Sequence, residues 1–329
     1  MNKLTKLHIE KITQPDDLTE KLLTPNIDVI TQAFQGLRDS IDFVVNQIAF
    51  EQYGQTLKHL SFTPPEDKYF KQDLISYILD EFQWHKPLSS IPNTLSQYPE
   101  GRCFNITTIT YNFVMNNLDL PEFNLISTYL KEGGVFKIIW GGVNLEFQTA
   151  LQIGGYYVDV ASDTVDWTEE KLTIAPLAKS DFYELHHYKQ YARIKEPYHN
   201  CKIYRNDCLL EIALFFPFFI VCNETSKLHI NTSHHMALSN CEQNFVPFTE
   251  LNNFPTLPIN FQKQLINKLS LNSTNLLSYQ IFTQEDTRNQ IKTLLSFTEK
   301  QKLNSLKTAH KLAHFVNFTL HSGKPKKIE

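Results

Sequence analysis

Two residues of this chain have the types and order that thiol chemistry requires. Cys103 sits in Gly101-Arg102-Cys103-Phe104-Asn105, and Asp159 closes the segment Tyr156-Tyr157-Val158-Asp159. In a Cys-His-Asp triad the ionised thiol attacks, the imidazole takes its proton, and the carboxylate fixes the imidazole's tautomer. Here the nucleophile and the orienting acid are present, but no histidine lies between Lys131 and Glu184.

The segment before Asp159 limits which residue stands where the base would be. Leu145, Phe147, Leu151 and Ile153 alternate with Asn144, Glu146, Gln148 and Gln152. That is the period of two of a strand. Gly154-Gly155 suits a two-residue hairpin turn. Pairing Ile153 with Tyr156 sets Ala150 opposite Asp159, so Asp159 shares a face with the even-numbered residues. The base position is therefore Asn144, Glu146 or Gln148. Gly101 permits a tight turn into a helix starting at Cys103. Backbone N–H groups around Arg102, Cys103 and Phe104 would then form an oxyanion site, and the helix N-terminus would lower the thiol pKa.

The elements that must hold these residues follow from periodicity. Ile30, Phe34, Leu37, Ile41, Val44 and Ile48 recur at steps of four and three, the apolar face of a long helix. Thr13 before Pro15-Asp16, and Thr24-Pro25, read as helix starts. Tyr69 to Phe82 predicts another amphipathic helix, and His85 to Gly101, with Pro87, Pro92 and Pro99, predicts a loop. Cys103 to Leu118 predicts a helix against the β-branched run Ile106-Thr107-Thr108-Ile109-Thr110. Strands are expected at Phe136 to Trp140, Leu145 to Ile153, Tyr156 to Val160, Ile212 to Cys222 and Lys227 to Ala237. Helices return at Asn260 to Leu269, Asp286 to Phe297 and Glu299 to Phe318, the last two opened by capping boxes Thr283-x-x-Asp286 and Ser296-x-x-Glu299.

The expected fold class is α+β. A helical region carrying Cys103 spans 1–122, an antiparallel sheet or barrel 123–225, a strand-and-helix lid region 226–275, and a helical extension 276–329.

Composition narrows the function classes. With 329 residues, 42% hydrophobic and 12% aromatic, the chain can enclose a sizeable core. A net charge of −4 gives no sign of a nucleic-acid partner. With 10 glycines and neither GxxxxGK[ST] nor GxGxxG, no phosphate loop is expected. Five cysteines, Cys103, Cys201, Cys208, Cys222 and Cys241, without CxxC spacing, argue against a disulfide framework and a zinc site. Met1 to Gln14 has no unbroken apolar core, and Leu209 to Val221 is too short to span a membrane. A cytoplasmic protein is the expectation.

Gly101-Arg102-Cys103-Phe104 resembles the Gly-Arg-Cys-Phe nucleophile motif of the arylamine N-acetyltransferase family. Gly155-Tyr156-Tyr157-Val158-Asp159-Val160 resembles its aspartate strand, and Leu228 to Asn272 its third domain. Pro99-Glu100 stand where that family has Arg-Gly. The resemblance covers about residues 1–275. It implies acyl transfer from acetyl-CoA or another acyl-CoA through a thioester on Cys103 to a small-molecule acceptor. Transglutaminase-like proteins and cysteine hydrolases share the Cys-His-Asp order. A pseudoenzyme of the same fold would instead bind a small molecule or a protein partner. The pairs His186-His187 and His234-His235 read as surface histidines, with a substitute base as the alternative. Asp163 and Asp166 read as loop carboxylates.

Overall fold

The computed structural model describes residues 13–14, 17–54, 57, 72–82, 98–165, 168–233, 236–237, 240–241, 243–270 and 283–321. They fall into two compact units, Met1–Glu184 and Leu185–Glu329. The loop expected at 85–101 lies outside the described residues up to 97, as do Asp166, His234 and His235.

In the first unit, helical turns at Thr19–Leu23 and Thr24–Asn26 lead into the long helix α1, Ile27–Tyr53. Its expected apolar face, Ile30 through Ile48, is buried. Gly54 ends it in the left-handed conformation, its N–H reaching back to Ala49 and Phe50. Helix α2 covers Gln72–Phe82, α3 Cys103–Asn116 and α4 Asn124–Lys131. The β-branched run in α3 is helical because its side chains are used by packing: Ile106 and Ile109 enter the core, and the Thr107 hydroxyl donates to the Thr149 carbonyl at 2.9 Å.

The sheet contains β1 (Phe136–Val143), β2 (Glu146–Ile153), β3 (Tyr156–Asp159), β4 (Thr173–Pro176) and β5 (Tyr183–Glu184). Their order is β4-β3-β2-β1-β5, every pair antiparallel, so it is an open sheet and no barrel closes. The hairpin has the expected register, with Ile153 opposite Tyr156 and Leu151 opposite Val158. Gly154 carries the turn at φ 54°. A Cβ there would meet the Thr19 hydroxyl at 2.1 Å and the Tyr129 hydroxyl at 2.5 Å, so the site needs glycine twice over. One sheet face, including Leu151, Ile153 and Val158, packs into the core with α1, α2 and α3; the other carries Ile139, Ala150, Tyr157 and Phe182.

The second unit contains α5 (Tyr188–Tyr198), β6 (Cys201–Arg205), α6 (Leu210–Ala213), β7 (Phe218–Cys222), β8 (Leu228–Ile230), α7 (Ile259–Ser270), α8 (Gln284–Leu295) and α9 (Glu299–His321). Strands β6, β7 and β8 form an antiparallel sheet. The strand expected from Ile212 begins only at Phe218. The Asn206 side chain accepts the Leu209 N–H at 3.1 Å and opens a helical turn, and Pro217 precedes the strand. The strand expected at Lys227 to Ala237 is limited to Leu228–Ile230, with Met236 and Ala237 helical.

Thr283 and Asp286 form the expected capping box. The next helix is capped by Thr298 and Gln301 rather than Ser296 and Glu299. Ser296 ends α8, its hydroxyl donating to the Thr293 carbonyl at 2.6 Å. No helix among the described residues is long and apolar enough to cross a membrane.

Candidate active site around Cys103, Gln148 and Asp159

The site forms where β3 stops short. Strand β3 pairs with β2 over Leu151, Gln152 and Ile153, so Gln148 and Thr149 extend past that pairing. Helix α3 meets β2 there, as the Thr107–Thr149 bond records. Gly101, at φ 67°, turns the chain into that helix, and its N–H is held by the Thr164 carbonyl at 2.8 Å. Arg102 is the N-cap residue, its N–H donating to the Pro99 carbonyl at 3.0 Å. Cys103 is the first residue of α3, as expected, and Phe104 follows it.

Of the three candidates for the base position, the structure brings Gln148 to Asp159. Its Nε2 donates to Asp159 Oδ2. The Tyr157 hydroxyl donates to the same oxygen at 2.9 Å, and the Ala161 N–H donates to Oδ1 at 2.9 Å. Gln148 is 5% exposed, and its Oε1 is buried without a hydrogen-bond partner. Asn144 instead occupies the β1–β2 turn at φ 55°. Glu146 is the first residue of β2, and partial burial raises its carboxyl above the usual range. Tyr157 was legible as a neighbour of Asp159, because residues two apart on a strand share a face.

The thiol departs from expectation. Burial pushes Cys103 above the ordinary thiol value; hydrogen bonds from Thr149 and the Phe104 backbone oppose the rise, and the nearby Asp159 carboxylate adds to it. The residue as a whole is partly exposed, yet desolvation of the sulfur outweighs the helix N-terminus. Burial also raises Asp159, against hydrogen bonds from Gln148, Ala161 and Tyr157 and the field of Arg38. Tyr157 is raised too, by burial and the Asp159 charge. At neutral pH these shifts favour a protonated thiol. The Cys222 thiol, by contrast, is lowered by hydrogen bonds with Thr225.

A buried ionic cluster supports the loop after Asp159. Arg38, fully buried on α1, donates to Asp163 through both terminal nitrogens, at 2.8 and 3.0 Å, to Asp42 at 3.1 Å, and to the Val160 carbonyl at 3.0 Å. Tyr98 donates to Asp42 at 2.6 Å, and Lys171 lies 2.7 Å from the other Asp42 oxygen. Asp163 is therefore a buried structural carboxylate and not a solvated loop residue. The i,i+4 spacing of Arg38 and Asp42 was readable, but that pattern usually marks an exposed helix face.

The described residues of the first unit contain no histidine; His8, His59 and His85 lie outside them. His186 and His187 belong to the second unit, where His187 Nδ1 lies 2.5 Å from Glu250. Among the described residues no group of three or more metal-ligating side chains forms. No family model, curated protein or solved structure matches the chain.

Proposed function

We propose that the first unit is an acyl-transfer type of thiol site that has lost its base, and that it binds instead of turning over acyl groups. The observation that carries this reading is Gln148, whose amide donates to Asp159 where a triad imidazole would be oriented. An amide cannot take a proton from a thiol at neutral pH. The raised thiol supports the same reading, because the reactive species is the thiolate. The resemblance of the Cys103 and Asp159 segments to arylamine N-acetyltransferases supplies the ligand class: an acyl-CoA or its acyl group, with a protein partner as the alternative.

The test is intact mass after incubation with acetyl-CoA and longer acyl-CoAs. Wild type is expected to gain no acyl mass on Cys103. Gln148→His restores a base beside Asp159 and should speed acylation by about 10²–10⁴-fold, the usual worth of a positioned base. Rapid wild-type acylation at Cys103 would contradict the reading and place a base on another residue, with His59→Ala and His85→Ala the next variants.

A further inference from the structure

From the register of β6 on β7, we infer that Cys201 and Cys222 form a dithiol site that a hydroperoxide oxidises to a reversible disulfide. The site lies in the second unit and is independent of the Cys103 reading. Cys201 opens β6, Cys222 closes β7, and the two are direct cross-strand partners. Both thiols are free. Among the described residues no other two cysteines stand opposite each other on paired strands.

The backbone hydrogen bonds say which kind of pair this is. The Asn206 N–H donates to the Pro217 carbonyl at 2.7 Å, and the Asn223 N–H donates to the Asn200 carbonyl at 3.0 Å. Hydrogen-bonded and non-hydrogen-bonded pairs alternate along an antiparallel ladder. The bonded pairs therefore carry even numbers on β6, and Cys201–Cys222 is a non-bonded pair. The other side of β7 agrees. The Cys222 N–H donates to Lys227 and its carbonyl accepts from Ser226, so both backbone groups turn away from β6. In a non-bonded pair the Cα atoms lie about 4.5 Å apart and the side chains leave the same face of the sheet. A disulfide needs Cα atoms roughly 4.4–6.8 Å apart, so this pair fits at the short end, where the bond is more easily reduced.

The two thiols differ in the way that such a reaction needs. Cys222 is half-exposed at the end of its strand, and Cys201 is 2% exposed. Hydrogen bonds from the side chain and backbone of Thr225 and from the Glu224 backbone hold the Cys222 thiol below its ordinary value. Burial raises the Cys201 thiol, against the Lys195 ammonium, and the charge of Cys222 adds to the rise. Cys222 is accordingly the thiolate that meets the oxidant, and Cys201 the thiol that resolves it. The Cys201 thiol now donates to the Lys195 carbonyl at 3.5 Å, a contact it gives up on turning toward Cys222.

The steps balance with the hydroperoxide as the one co-reactant. Cys222 Sγ attacks a peroxide oxygen, the O–O bond breaks, and an alcohol (water, from hydrogen peroxide) leaves after taking up a proton. Cys222 is oxidised to a sulfenic acid as the peroxide is reduced. Cys201 Sγ then attacks Cys222 Sγ. The S–S bond forms, the S–O bond breaks, and hydroxide leaves as water with the Cys201 proton. A dithiol reductant returns both thiols by exchange.

The test starts from the full chain reduced with dithiothreitol and then freed of it. Hydrogen peroxide is added, the intact mass is taken, remaining thiols are capped with N-ethylmaleimide, and peptides are mapped without reduction. Wild type is expected to become lighter by two hydrogens, to yield a linked Cys201–Cys222 peptide, and to regain both thiols on fresh dithiothreitol. In Cys201→Ser the reaction should stop at a Cys222 sulfenic acid, which dimedone traps. Cys222→Ser should leave Cys201 reduced at the dose that links wild type. Wild type in which Cys222 passes to sulfinic acid while Cys201 stays free would overturn the inference. So would linkage of either residue to another cysteine or to a second chain, or two thiols that do not react.

Discussion

Around Arg38 the first unit encloses a guanidinium, two carboxylates and a phenol; around Phe218 the second encloses aromatic rings. Phe218 stacks on Tyr191 with centroids 6.2 Å apart, meets Tyr188 edge-on at 5.1 Å, and lies 4.9 Å from Phe254. The rings gain from burial and from their quadrupoles. The charges must recover a large desolvation cost through geometry, and they do so with paired Arg38–Asp163 bonds and the Val160 carbonyl. Ring packing could have filled the same volume, so the expense buys position. Arg38 holds the residues that follow Asp159, and Thr164 in turn holds Gly101 at the entry to the Cys103 helix.

Arg38→Met should break this contrast most strongly. Leaving Asp42 and Asp163 buried without their partner is expected to cost about 3–5 kcal/mol. Denaturant unfolding followed by hydrogen exchange should assign the loss to residues 17–165. Adding Asp42→Asn and Asp163→Asn to that variant should recover much of it, because the cost lies in uncompensated charge; no recovery would mean that Arg38 works mainly by filling space.

A smaller effect is expected from the second unit's polar contacts. Asn317 clamps Ile230 of β8, accepting its N–H at 2.6 Å and donating to its carbonyl at 2.9 Å. Asn317→Ala leaves both groups unpaired and should cost about 1–3 kcal/mol. Exchange protection should fall in β8 and stay unchanged at Arg38.

The smallest stability effect is pH-dependent. Asp159 is raised in the folded protein, so between the ordinary carboxylate pKa and the raised one the unfolded chain gives up its proton first. Stability contributed by this group is full below that window and declines as pH rises through it. Asp159→Asn, whose new amide Gln148 can accommodate by turning its free oxygen toward it, should flatten the acid side of the stability–pH profile. An unchanged profile would contradict the raised carboxyl.

These regions also differ in how far they could be read from sequence. The hairpin was legible because alternation and Gly154-Gly155 fix a register, and a register decides which side chains share a face. Gln148 remained one of three candidates, since its choice depends on side-chain reach to Asp159, which spacing does not encode. The Arg38 cluster was not legible: Asp163 reads as a loop carboxylate until the chain folds back across α1. The raised thiol is not legible in the sequence: the helix N-terminus is visible in Gly101-Arg102-Cys103, while the desolvation that outweighs it arises only on folding. In the second unit, Asn206 and Pro217 redirected an apolar run from a strand into a helical turn, a local signal that hydrophobicity alone hides.

Competitive alkylation with limiting iodoacetamide at neutral pH, mapped across the five cysteines, tests most directly whether Gln148 leaves the thiol without a base. In wild type Cys222 should label before Cys103, because one thiol is lowered and the other raised, and Gln148→His should bring Cys103 forward. Labelling of Cys103 ahead of Cys222 in wild type, unchanged by Gln148→His, would contradict the account.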